Sequence, residues 1–155
     1  MGLFSRAPRS YPPGTIRVSD EGLRARFSFI GLNAADLGVV RAWGEVCRKA
    51  LPAVSQAFYS AVMGTGATRR VLEKHTTVAK QRPVIERYLG TLLDGCIDDA
   101  WIQLRLQVGK RHDEIDLDCM FYFGGYERVR AGFTEAVNAA GATPEELTRF
   151  RDALG

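Results

Sequence analysis

Histidine, cysteine and net charge are all scarce in this chain, and each scarcity removes a class of function. Two histidines in 155 residues, with no His-Glu-x-x-His and no Cys-x-x-Cys, do not supply an all-protein zinc-type site. The His112-Asp113-Glu114 run is no substitute, because adjacent helical residues diverge by about 100° and do not share one ion. Three cysteines, odd in number and isolated at Cys47, Cys96 and Cys119, read as reduced core thiols of a cytoplasmic protein and not as a disulfide frame. A net charge of +3 with acids and bases interspersed gives no footprint for nucleic acid. No apolar run approaches the roughly 18 residues of a membrane span. The N-terminus has neither an apolar signal core nor, with Arg6 in place, the Ser or Thr of a myristoylation signal. There is no Gly-x-Ser-x-Gly and no phosphate-cradling glycine loop after a strand.

What remains is helical pattern. Residues 1–21 form an N-terminal arm with three of the six prolines (Pro8, Pro12, Pro13) and little periodicity. It reads as extended and mobile unless it packs back on the rest. Residues 22–155 read as a single all-α domain of about six helices, long enough to bury a core and a sizeable ligand. No strand pattern is evident.

Asn33 is a good N-cap, with Leu37, Val40, Gly44 and Cys47 at helical spacing behind it. Pro52 marks a second start. Leu51, Val54, Phe58, Ala61 and Val62 then make an apolar seam, with Tyr59, Ser55 and Met63 on its shoulder. A third helical region spans about 68 to 93, and Pro83 must either start a new helix there or kink it. Asp98 caps the next helix, which places Trp101, Leu104, Val108 and His112 on one buried face. Gly109 removes a side chain beside the imidazole. After a turn at 113–118, Cys119, Tyr122, Tyr126, Val129, Phe133 and Ala136 share a face of a long helix. Gly124-Gly125 within it points to close helix contact. Thr143-Pro144-Glu145-Glu146 announces a last helix so strongly that its short length suggests a longer natural chain.

From the residues alone, His112 has two readings: a hydrogen-bonded core residue, or the single protein ligand of a metal whose other ligands belong to a cofactor. Tyr59 is likewise a half-buried core aromatic or a polar group in a pocket.

Phe58-Tyr59, His75, Tyr88-Leu89, Asp94-Gly95, Arg105-x-x-x-Gly109-x-x-His112-x-x-Ile115-x-Leu117 and Tyr122 resemble the globin-coupled sensor family, relatives of the protoglobins. That resemblance implies a globin fold in its sensor variant, bound haem b, and His112 as the proximal iron ligand. It implies Tyr59 as the distal hydrogen-bond donor to a bound gas (O2, and also CO or NO), and Tyr122 as a proximal-side tyrosine. Phe58, Val84, Leu89 and Val108 would then exclude water, with Gln81, Tyr88 and Gly109 completing the pocket. His75 falls at the surface or the haem edge. Gln81 stands where family members commonly carry an apolar distal residue, and Pro83 interrupts a helix expected to be continuous. The family reading further implies a non-enzymatic sensor, a homodimer through the last two helices, and a C-terminal signalling output domain. Two alternatives stay beside it: a haem-free signalling globin with His112 structural, and a stand-alone O2-binding or NO-oxidising globin.

Overall fold

The computed structural model describes residues 9–155; the first eight residues of the arm, Arg6 and Pro8 among them, lie outside the described residues. In chain order the elements are β1 (Thr15–Arg17), α1 (Glu21–Phe29), α2 (Ala34–Gly64), α3 (Gly66–His75), α4 (Val78–Gly90), β2 (Cys96–Asp98), α5 (Asp99–Glu114), α6 (Cys119–Ala139) and α7 (Pro144–Leu154), with a 3-10 turn, Thr91–Asp94, between α4 and β2. The class is all-α, with seven α-helices among the described residues where the periodicity suggests about six.

The starts of these helices follow local chemistry. Asn33, Asp98 and Thr143 each accept a hydrogen bond from a first-turn backbone N–H, and Thr143 with Glu146 forms a reciprocal capping box. The interruptions do not follow it. α2 runs 31 residues straight through Pro52 instead of restarting there. Pro83 lies inside α4, and the break between α3 and α4 falls earlier, at Thr76-Thr77, with the Thr77 side chain capping α4. A proline within a helix costs about 3 kcal/mol. Both rings face solvent, and the Pro52 carbonyl is used again, accepting from Arg82 Nη2 at 2.8 Å.

α2 is the axis of the molecule. Val39, Val40, Trp43, Cys47, Leu51 and Val54 pack with Leu89 and Leu93, with Val129, Phe133 and Val137 of α6, and with Phe150 and Leu154 of α7. Of the three cysteines only Cys47 is a core thiol, its pKa pushed up to about 12 by burial, while Cys96 is half-buried and Cys119 exposed; all three are free.

A smaller cluster of Val18, Leu37, Ile97 and Ile102 closes the other end. Here the arm packs back on the domain. β1 and β2 pair in parallel, Ile16 opposite Ile97, so the chain does contain a short sheet that no alternation in sequence announces. Gly95 makes the pairing possible: its φ of +63° suits glycine, and an added Cβ would stand 2.6 Å from the Leu37 carbonyl oxygen. Further along the arm, the Tyr11 hydroxyl donates to the Glu146 carboxylate at 2.6 Å, and Arg41 Nη2 donates to the Pro12 and Pro13 carbonyls. No helix among the described residues is long and apolar enough to cross a membrane.

Candidate functional site

The second half of α2 leaves the closed core and enters the wall of a cavity of about 730 Å³, within the size range of cofactor pockets. α3, α4, α5 and the first half of α6 supply the other walls. Most of the lining is apolar or aromatic. Its charged or ionisable groups other than phenols are His75, Arg111, His112 and Arg128, and no carboxylate lines it. The paired acids that hydrolytic chemistry uses are therefore missing from this chamber. Among the described residues no cluster of three metal-ligating side chains exists anywhere.

Phe58, Tyr59, Gln81, Val84, Tyr88, Val108, His112 and Tyr122, far apart in the chain, all line this one cavity. Gly109 does not. It is exposed, and a Cβ added there meets no protein atom within 4 Å. The glycine that does create close contact is Gly125, where an added Cβ would lie 2.9 Å from the Phe58 ring. Gly124 is exposed, so only half of the pair has a packing role. Val84 lines the cavity while remaining 46% exposed, which places it at the mouth.

His112 sits in the last turn of α5 and is half-buried, not part of a closed face; Ile102 is the one buried residue on that helix. Its Nδ1 lies 2.7 Å from the Val108 carbonyl oxygen. A carbonyl only accepts, so Nδ1 carries a proton, and in the neutral imidazole Nε2 is the nitrogen with the lone pair. That is the tautomer a metal-ligating imidazole needs, oriented by the hydrogen bond of its other nitrogen. The Tyr122 ring stands against it, centroids 4.9 Å apart.

On the α2 wall of the cavity, Tyr59 is buried at 7% exposure, and Ser55 one turn earlier is fully buried. The reason is tertiary: α4 packs along this side of α2. Ser55 Oγ donates to the Glu86 carboxylate, and Arg82 Nε donates to Ser55 Oγ at 3.1 Å, which fastens the two helices together. Burial, and then the negative charge of Glu86, push the Tyr59 phenol up to about 12. It is a neutral O–H donor at physiological pH. Gln81 is half-buried at the cavity wall, its amide donating to Thr76 Oγ1 at 3.2 Å. His75 is exposed where it touches the rim.

The model of the Protoglobin family matches residues 19–155. The chain belongs to the protoglobin family. Its fold matches the globin domain of a globin-coupled sensor from Geobacter sulfurreducens with a TM-score of 0.76 at 16% identity, covering 85% of this chain and 87% of that one. At that identity the likeness shows the globin fold, which the resemblance in the sequence implied. As a globin, the chain has a family in which haem is the normal cofactor.

The residues present fit that group: one imidazole whose Nδ1 is tied to a backbone carbonyl, a largely apolar chamber, and a neutral phenol on another wall. Sequence reasoning missed Arg111, Arg128 and Tyr126 as lining residues. It also missed Val71 and Leu72, although they stand four and three residues before His75, at helical spacing from a residue that it placed at the surface or haem edge.

Proposed function

We propose that this protoglobin is a haem-based gas-sensor domain. The observation that carries the reading is the hydrogen bond from His112 Nδ1 to the Val108 carbonyl, which leaves Nε2 as the ligating nitrogen of the neutral imidazole on a side chain that lines a cofactor-sized cavity. Haem b would supply an iron centre able to take O2, CO or NO. His112 Nε2 would be its protein ligand, with the Tyr122 ring tilted against the imidazole on the same side. Tyr59, held protonated by burial, would donate its O–H to a gas that accepts hydrogen bonds, favouring O2 over CO. Phe58, Leu89 and Val108 would keep water from the site, and Gln81, tied to Thr76, would be a second polar group near the gas.

The domain itself would carry no catalytic step. Its signal would pass through α6 and α7, whose inner faces are packed on α2 and whose outer faces offer the surface for a homodimer. The output would be a signalling domain of the same, cytoplasmic, protein. A single experiment tests the reading: visible spectra of the purified protein with haemin added, in reduced, oxygenated and CO forms. A Soret band with a five-coordinate reduced form and a CO adduct is expected. A protein that takes up no haemin refutes the proposal in favour of a haem-free signalling globin.

A further inference from the structure

The charge on the cavity wall is of one sign. His75, Arg111, His112 and Arg128 line it and no carboxylate does, although acids and bases are nearly balanced over the whole chain, 18 against 21. A largely apolar chamber with basic groups and no acid suits an apolar ligand that carries acidic groups. Among these four side chains the arginines alone keep their charge at every working pH.

The two arginines are also less committed than others in the molecule. Arg48, Arg82, Arg130 and Arg149 each hold a carboxylate of the protein within 3.2 Å. Among the described residues Arg128 holds none. The cause lies on its own helix. The positions three and four residues away are Gly124, Gly125, Ala131 and Gly132, so no acid stands at the spacing of a helical ion pair. Arg130, two residues on, has Glu127 at that spacing and binds it at 2.8 Å. Arg111 is loosely engaged: its Nη1 meets Glu114 Oε2 at 3.3 Å, with both side chains exposed. The same carboxylate has Lys110 at 3.9 Å, so turning Arg111 away strands no acid. Both arginines are exposed while lining the cavity. A long side chain in that position covers apolar surface with its stem and keeps its charge near water.

We propose that Arg128 of α6 and Arg111 of α5 bind the carboxylates of the cavity's ligand at its rim, and that these carboxylates are the two propionates of haem. The inference rests on the haem reading and adds to it the residues that recognise the cofactor's acidic groups. The macrocycle is buried against apolar wall while its charges stay near water, so no unpaired ion is buried. Pairs so exposed contribute only a few-fold each in affinity. Their larger effect is selectivity, since a macrocycle without acidic groups gains nothing from them.

The test titrates the whole chain with haemin and with haemin dimethyl ester, the same macrocycle with its carboxylates capped, in one mixed solvent. Wild type, Arg128→Gln and Arg111→Gln are compared, and the Soret band reads every titration. Each substitution is expected to lower the ratio of haemin affinity to ester affinity about threefold. The different solvation of the two ligands cancels between proteins, and a damaged cavity weakens both ligands alike. The ratio therefore isolates the carboxylate pairs even where a variant folds poorly. A ratio that stays at its wild-type value in Arg128→Gln overturns the role of Arg128, and the same result in Arg111→Gln overturns that of Arg111. In either case haemin still binds and the haem reading stands. A protein that takes up neither macrocycle overturns the haem reading, and this proposal with it.

Discussion

The two halves of α2 carry the same kind of apolar seam and come to opposite ends. In the first half Val39, Val40, Cys47 and Leu51 are sealed by α6, α7 and the turn after α4, with Phe133 and Phe150 fully buried against them. In the second half Phe58, Ala61 and Val62 stay half-buried, because the space beside them is cavity. The same periodicity that closes a core at one end builds a chamber at the other. Close packing is the rule for protein interiors, so a large apolar space that the chain keeps open is a place for something else.

Substitutions at the two ends should sharpen this contrast. The largest effect is expected in the closed half: Phe133→Ala removes a fully buried ring and should lower unfolding free energy by about 3–5 kcal/mol in denaturant titration. In the open half, Val108→Ala should cost about 1 kcal/mol or less in the haem-free protein. A comparable loss at both sites would mean that the chamber is ordinary core. His112→Ala comes next. It should leave haem-free stability within about 1 kcal/mol of wild type while weakening haemin affinity on the order of a hundredfold, followed by Soret titration. Unchanged affinity with a normal reduced spectrum would remove His112 as the ligand.

Tyr59→Phe is expected to be milder, speeding O2 release about tenfold while CO release moves little, as the loss of one hydrogen bond predicts; stopped-flow measurement of both gases checks it. The smallest effect is expected at the arm. Burial alone would raise the Glu146 carboxyl, but hydrogen bonds from Tyr11 and from the Thr143 backbone outweigh it and hold the group below the usual carboxylate range. Its contribution is complete above the unfolded-state pKa and is lost as pH falls through the folded one. Tyr11→Phe raises that folded pKa, so the acid-unfolding midpoint followed by circular dichroism should move upward. A midpoint that stays put would mean that the arm rests on α7 without supporting it.

Much of the fold was legible because helix starts are local. Asn33, Asp98 and the capping box at Thr143 depend on residues a turn apart, and all three operate as the sequence predicts. Interruptions were less legible. Pro52 and Pro83 are strong local breakers, yet both sit inside helices because packing along α2 and α4 outweighs a local cost. The β1–β2 pair was invisible for a related reason: Thr15 and Cys96 meet only after the chain has folded, and strands of three residues carry no period. At the site, family likeness put His112 and Tyr59 together, and both line one cavity. Gly109 shows the limit of that reading, since the glycine in close contact is Gly125, whose neighbour Phe58 is on another helix.

The sequence by itself determined where most helices begin, which faces are apolar, and that a lone histidine stands in a globin-like setting. These follow from hydrogen bonds and side-chain spacing within a few residues. Only the tertiary structure decided which part of the apolar surface is filled and which is left open. It also set the His112 tautomer against the Val108 carbonyl, buried Tyr59 beside the Glu86 network, and brought Tyr126 to both the cavity and α7. Those features depend on what packs against each face, and no residue's neighbours in sequence carry that information.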